Sequence, residues 1–313
     1  VADPLRRRVR AKFLRAASIT SGILPEWLAR GGLEQAAWLS RFTRHEKRIL
    51  ENLTRAYKGE LDAGELQRIA SGVRRHSARI FYEWLRLSRG SELEGAWLDS
   101  VVRTDSSLQI LDEAVANGRG ALIVTAHIGN WELLAATLVR RGIRGAVVGL
   151  ERKRDPGSIW LSDMRRAYGV ETIPQHSHPR ELMRVLEGGG SVGLVCDLEV
   201  RRLAGEFLPF FEVPALTMIA PAALARARRL PLIPVRCVLP EPGSDHYLLR
   251  VEEPIERDWS LPRREATSEH MQRVLGIFER WIRETPEQWA WHQARWQAKV
   301  GQIDALPLGA PRD

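Results

Sequence analysis

His127 and Glu132 stand out as residues whose types and spacing could do chemistry. A histidine backed by a carboxylate is the minimal general base for a hydroxyl nucleophile. The carboxylate fixes the imidazole tautomer and the other ring nitrogen takes the proton. A His-x-x-x-x-Glu spacing parts the two side chains around a continuous helix, but a strand–turn–helix junction can bring them together. Gly129-Asn130 supplies such a junction. The apolar run Ala121–Ala126 has strand length, Asn130 is well placed as an N-cap, and an apolar-periodic helix runs from Trp131 to Arg140. His127 therefore falls where a buried strand surfaces, and free N–H groups at the helix start favour negative charge nearby. In open α/β sheets, ligands bind outside the carboxyl ends of the strands. The spacing alone arises by chance, and a lone histidine near an apolar face is usually structural. Its position at a strand-to-helix switch is what singles it out.

Other candidates compete. Gly189-Gly190-Ser191-Val192-Gly193 has the Gly-x-Ser-x-Gly pattern of serine hydrolases, but there the serine ends a strand and opens a helix. Here the helix precedes and the strand follows. His176 and His178 lie in a polar loop with no further Cys or His nearby, so a solvated loop accounts for them better than a metal does. Asp197 and Glu199 sit just past the strand Ser191–Cys196, again at a carboxyl end. They can orient a polar acceptor, pair with Arg201 or Arg202, or serve as turn residues. Arg165 and Arg166 suit the C-terminus of their helix, and either can instead clamp a phosphate or offset charge on a thioester oxygen.

The elements that position these residues follow from periodicity. Leu24 to about Arg89 stays helical in pattern, and from Val101 short strands and helices alternate, the signature of an α/β layer. Strands are expected at 146–150, 170–173, 191–196, 232–238 and 247–251, with an extended stretch at 207–211. Helices are expected at 108–116, 158–168, 179–186, 217–228 and about 265–283, then a terminal helical piece at 287–299 and a frayed tail after Leu306. Residues 1–95 read as a helical part and 96–300 as the α/β core of one domain spanning 1–313. Asp3-Pro4 opens a basic helix with Leu5, Val9, Phe13 and Ala17 on one face, a pattern able to lie in the headgroup plane of an anionic membrane.

Composition bounds the partners. Of 313 residues, 47 are Lys or Arg, nearly all arginine, against 39 Asp or Glu, so the net charge is +8. Such a surface suits a polyanion. Nucleic acid is not expected, because no recognition motif accompanies the charge. Cys196 and Cys237 form neither a disulfide framework nor a metal-ligand set and read as buried free thiols. No apolar run approaches the roughly 18 residues a spanning helix needs, and no secretory signal is expected.

Several blocks together resemble the bacterial lipid A biosynthesis (lauroyl/myristoyl) acyltransferases and their phosphatidylinositol mannoside acyltransferase relatives, within the wider lysophospholipid and glycerol-3-phosphate acyltransferase superfamily. They are Leu24-Pro25, Arg48 to Tyr57, Phe81-Tyr82-Glu83-Trp84-Leu85, His127-Ile128-Gly129-Asn130-Trp131-Glu132, Arg165 with Gly169, and Leu186 to Gly190. Asp197-Leu198-Glu199, Phe207 to Thr217, and Pro286 to Trp296 complete the set. The chain departs from the pattern at Glu212, where the family has Gly, at Cys196, where Pro is common, and at His292, one position early. No counterpart of the spanning N-terminal anchor of several lipid A enzymes is expected in this sequence.

The resemblance implies an α/β fold, a mostly parallel central sheet flanked by helices, with a helical N-terminal region. It implies that His127 deprotonates a lipid or sugar hydroxyl while Glu132 holds the imidazole. The alkoxide then attacks an acyl thioester directly, without a metal or resident cofactor. Arg165 is the first candidate for charge stabilisation. Asp197 and Glu199 shape the acceptor pocket, Asn130 and Trp131 bind substrate, and Trp131, Leu134 and Phe210 line an acyl channel. The partners implied are a membrane lipid acceptor, an acyl carrier protein or coenzyme A thioester, and an anionic membrane surface. The implied location is the cytoplasmic face of the bacterial inner membrane, held peripherally. A non-catalytic glycolipid-binding protein on the same fold is the alternative.

Overall fold

The computed structural model describes residues 12–300 except 13, 15, 22, 90–91, 117, 119, 150–154, 176, 202, 204 and 257–259. Most of the expected basic helix from Asp3, His176, Arg202 and the tail after Leu306 lie outside the described residues.

Past Ser21 the described chain runs through three α-helices: α1 (Glu26–Leu39), α2 (Arg44–Tyr57) and α3 (Ala63–Leu87). Local chemistry sets their starts. Thr43 caps α2, and a capping box between Asp62 and Glu65 opens α3, each side chain taking the other's backbone N–H. Helix α3 then buries one long face that includes His76, Arg79 and Glu83. Helix α1 has no fully buried residue.

After α4 (Glu92–Val101), β1 (Val102–Thr104) and α5 (Leu108–Ala116), the chain alternates strand and helix. The elements are β2 (Leu122–Thr125), α6 (Trp131–Arg140), β3 (Gly145–Gly149), α7 (Pro156–Ala167), β4 (Glu171–Pro174), α8 (Pro179–Glu187) and β5 (Ser191–Val195). Then come a hairpin of β6 (Gly205–Phe210) and β7 (Val213–Met218), α9 (Ala220–Arg228), β8 (Leu232–Val238), β9 (Tyr247–Val251) and α10 (Arg263–Glu284). Seven strands form one sheet in the order β1-β9-β8-β2-β5-β3-β4, with only the β8–β9 pair antiparallel. This is the mostly parallel α/β sheet flanked by helices that the resemblance implied. Strand β2 lies centrally and is buried on both faces, as a parallel strand between helical layers must be. Leu122 and Val124 enter the core that contains Ile49 and Leu53 of α2, while Ile123 enters the opposite core with Leu133 and Val235.

Two expectations need correcting. Thr217 does not open a helix. It pairs with Glu206 in the β6–β7 hairpin, and the helix begins at Ala220 with Pro221 in its first turn. Beyond a short 3-10 turn at Pro286–Gln288, the segment through Lys299 is irregular rather than helical. Its backbone groups bond outward: Ala290 N–H to His127 O, and the Gln297 and Ala298 N–H groups to the Glu199 carboxylate. Those partners leave the i→i−4 ladder unmade.

The hairpin turn explains what the departure at Glu212 costs. Phe210 pairs with Val213, so Phe211 and Glu212 form a two-residue turn, with φ of 52° and 55°. Positive φ at both central residues is what a type I′ turn demands and what glycine adopts freely. A side chain in that region costs roughly 1–2 kcal/mol, whereas the exposed Lys58–Glu212 pair at 3.1 Å offsets about 0–1 kcal/mol at most. Replacing Glu212→Gly is expected to stabilise the protein by about 1 kcal/mol, read as a rise of a few degrees in the thermal midpoint; an unchanged or lower midpoint would count against this account of the turn.

Candidate active site

Strands β2 and β5 are parallel neighbours with Thr125 opposite Val195. Two residues further on, at the same offset, lie His127 and Asp197. His127 Nδ1 sits 2.7 Å from Asp197 Oδ1, and the His127 backbone N–H donates to Oδ2 at 2.9 Å. A carboxylate is only an acceptor, so Nδ1 carries the proton and Nε2 keeps its lone pair in the neutral ring. No partner holds Nε2 among the described residues, and the His127 side chain is 24% exposed, while Asp197 is fully buried. Trp289 Nε1–H donates to Asp197 Oδ2 at 2.6 Å. Burial pushes the Asp197 carboxyl up, but the His127 imidazole and these three hydrogen bonds outweigh it and hold Asp197 below its ordinary value.

Asp197, not Glu132, is therefore the carboxylate on the imidazole. Glu132 lies in the first turn of α6, 1% exposed, and its bonds run to α7 and the residue that follows it. Arg165 Nε donates to Glu132 Oε2 at 2.9 Å, Arg165 Nη2 to Oε1, and the Tyr168 hydroxyl to Oε2 at 2.7 Å. Burial alone would lower the Arg165 guanidinium; Glu132 and Tyr168 raise it above its ordinary value. Arg165 is thus the buried counter-charge of Glu132. The five-residue spacing that suggested the His127–Glu132 pair is local, whereas the pairing that forms is set by strand register 70 residues away.

The turn between β2 and α6 is held at nearly every backbone group. The His127 carbonyl accepts from Ala290 N–H (3.0 Å), Gly129 N–H donates to Gln288 O (3.0 Å), and Asn130 N–H donates to Cys237 O (2.8 Å). His76 Nε2 donates to Gly129 O at 3.2 Å. Burial lowers His76 to about 4, more than the Gly129 bond raises it, with Arg79 lowering it further. It is a neutral donor at working pH. Gly129 has φ of 58°, and a Cβ there would stand 1.9 Å from Cys237 O, so only glycine fits. Asn130, fully buried, caps α6 by accepting from Glu132 and Leu133 N–H. Trp131 meets the His127 ring edge to face, with centroids 4.9 Å apart.

Glu199, expected in the acceptor pocket, has an almost fully buried side chain. It accepts from Gln297 and Ala298 N–H at 2.8 Å each and from Arg201 Nε at 2.6 Å, tying down the C-terminal segment. Phe210, expected along an acyl channel, is buried among Phe211, Trp289 and Trp296 beneath the Arg295 guanidinium. Ser191 opens β5 with its hydroxyl buried and unpartnered, in the strand order that had argued against a nucleophile. His292 meets His45 edge to face (6.0 Å), and burial with the nearby His45, His127 and Arg48 lowers it to about 4. No group of three or more His, Cys, Asp or Glu among the described residues converges as a metal-ligand set. Sequence reasoning missed the hold of Trp289 on Asp197. The available signal was the equal offset of His127 and Asp197 past two strands.

A partly exposed histidine held by a buried aspartate at the carboxyl edge of a parallel sheet can take a proton from a hydroxyl. Residues 10–298 match the bacterial lipid A biosynthesis acyltransferase family, to which the chain belongs. It is an acyltransferase of the lipid-acylating type. Among curated proteins it is similar to the phosphatidylinositol mannoside acyltransferases of two Mycobacterium tuberculosis strains, 28% identical over 222 residues, which is 68% of this chain and 68% of each relative. Among solved structures, the 1-acyl-sn-glycerophosphate (LPA) acyltransferase PlsC from Thermotoga maritima aligns at 16% identity and a TM-score of 0.37, covering 90% of this chain and 99% of that one.

Replacing Gly129→Ala forces a methyl into the Cys237 carbonyl and moves the turn that carries His127. Acyl transfer by the folded variant is expected to fall by about 100-fold, with a lower thermal midpoint. A fully active variant would show that the turn is not tightly held.

Proposed function

We propose that the protein moves a fatty acyl chain from an acyl thioester, carried by acyl carrier protein or coenzyme A, to a hydroxyl of a membrane glycolipid or lysophospholipid. The observation that carries this is the His127 imidazole, protonated at Nδ1 by its bond to Asp197 and free at Nε2 beside the open sheet edge. Nε2 takes the proton from the acceptor hydroxyl as its oxygen attacks the thioester carbonyl. The C–O bond forms, the C–S bond breaks, and the departing thiolate receives the proton from Nε2. Asp197 holds the tautomer throughout and stabilises the transient imidazolium. Glu132 and Arg165 act as a buried, mutually neutralising pair that fixes α6 against α7 beside the base. The phosphatidylinositol mannoside acyltransferase relatives favour a glycolipid acceptor.

The membrane supplies the acceptor, and the N-terminal region offers a surface for it. Eight of the ten exposed large apolar side chains among the described residues lie between Ile19 and Phe42, including Trp27, Trp38 and Phe42. Arg41 lies over the Trp38 ring at 3.7 Å and the Phe42 ring at 4.5 Å. Aromatic side chains with cations among them suit the boundary between acyl chains and anionic headgroups. No helix among the described residues is long and apolar enough to cross a membrane. The proposed seat is peripheral, on the cytoplasmic face of the inner membrane.

His127→Ala and Asp197→Asn are each expected to lower kcat by about 10²–10⁴-fold with the fold intact. Glu132→Gln strands the Arg165 charge and is expected to cost about 3–5 kcal/mol of stability, read as a lowered thermal midpoint. Should E132Q lose kcat as deeply as D197N at an unchanged midpoint, Glu132 and not Asp197 would be the partner of the base. Combined replacement of Trp27, Trp38 and Phe42 by Ala is expected to weaken binding to phosphatidylglycerol vesicles by about tenfold or more. Undiminished sedimentation with those vesicles would remove the proposed membrane surface.

A further inference from the structure

We propose that Glu83 is a positioning residue for this reaction: it fixes which end of the Asn130 amide faces helix α6, and so sets the turn that carries His127. The inference rests on the reading of His127 as the base.

Glu83 lies on the buried face of α3, with its side chain 5% exposed. Its Oε1 accepts from Arg79 Nε at 2.9 Å, and its Oε2 accepts from Asn130 Nδ2 at 2.7 Å and from the Tyr247 hydroxyl at 2.8 Å. Arg79 and Asn130 can only donate at these atoms, so both Glu83 oxygens serve as acceptors; burial pushes the Glu83 carboxyl above its ordinary value, while Arg79, Asn130 and Tyr247 pull it back down. Arg79 is itself anchored, its Nη1 and Nη2 donating to the carbonyls of Ser244 (2.7 Å) and Asp245 (2.9 Å). The carboxylate therefore cannot move toward solvent to find other partners without breaking that anchorage.

The other end of the amide explains why this matters. Asn130 Oδ1 accepts from three donors: Glu132 N–H at 3.2 Å, Leu133 N–H at 3.1 Å and Trp84 Nε1–H at 3.1 Å. Turned by half a rotation, the amide would aim its NH₂ at those three donors and its carbonyl at the carboxylate. All of these contacts would become repulsive in a site that water does not reach. Glu83 thus makes one orientation of Asn130 the only satisfied one. That orientation caps α6 and holds the indole of Trp84, which meets Trp131 edge to face at 5.3 Å, and Trp131 meets His127 in the same way at 4.9 Å. About two turns earlier on the same helix, His76 holds the Gly129 carbonyl. Neither Glu83 nor His76 bonds to His127, so their influence passes through the turn and the tryptophan pair.

The test reverses the polarity of the contact. Glu83→Gln places an amide where Asn130 needs an acceptor, and Asn130→Asp places a carboxylate against Glu83. In the double variant E83Q/N130D the new amide can donate to the new carboxylate, whose other oxygen still caps α6. With radiolabelled palmitoyl-CoA as donor and vesicles of total bacterial membrane lipid as acceptor, each single variant is expected to lose about tenfold or more in kcat. KM is expected to stay within about twofold, and the double variant is expected to recover most of the lost kcat. Thermal midpoints of the same proteins read the amide orientation without substrate: each single variant falls and the double variant rises back. The proposal is overturned if E83Q turns over at the wild-type rate, if the double variant is no better than the singles in both readouts, or if activity falls only in step with the folded fraction. H127A separates the two levels of the argument. Its full activity would remove the base and this proposal together, while an inactive H127A beside an unimpaired E83Q would remove the role of Glu83 alone.

Discussion

The structure around the site depends on one constraint: a carboxylate with no solvent contact, Asp197, must have its charge met from within. Removing such a group from water costs several kcal/mol even after relaxation. Three bonds to it, two from His127 and one from Trp289, each contribute roughly 1.5–3 kcal/mol as bonds to a charged group. The two magnitudes are comparable, so the three donors together offset the cost of burying the charge. One of them comes from a segment far along the chain, and the strap from Pro286 to Ala298 must therefore dock before the central strands carry a finished site. The strap is held in turn by Gln288 on Leu239, by Glu199 on the Gln297 and Ala298 amides, and by Arg295 on Leu216 and Thr217.

Three acidic side chains are buried within one turn of chain and its surroundings, and each has its own cation or imidazole: Asp197 with His127, Glu132 with Arg165, Glu83 with Arg79. Separate pairing keeps the charges from competing for one counter-ion. It also divides their tasks. Only the first pair reaches the surface, through a ring that is partly exposed; the other two pairs are sealed and lend direction to the backbone between them.

Much of the fold was legible from periodicity. The strands at 232–238 and 247–251 and the helix at 131–140 have the bounds their patterns suggested, because each is bounded by local signals, a cap, a turn residue or a proline. Expectations failed where long-range bonds overrode local pattern. Thr217 was drawn into a hairpin by its pairing with Glu206, and residues 287–299 spend their backbone bonds on other elements instead of a helix. The site divided in the same way. His127 was visible because a strand-to-helix switch is a local event. Its partner was not, since the choice between Glu132 and Asp197 depends on how β2 and β5 slide past one another. Glu199, two residues from Asp197, points its bonds at the C-terminal segment, a distinction that spacing cannot carry.

The register of β2 against β5 makes the distance between ladder and side chain a fixed length. With Thr125 opposite Val195, His127 and Asp197 meet because each lies two residues beyond the pairing. Loss of a single residue from either overhang would bring Leu198 into the place of Asp197, or Ile128 into that of His127, putting an apolar group where the carboxylate or the imidazole stands. The chain between ladder and side chain is consequently of one length at both overhangs, whatever freedom the surface otherwise allows.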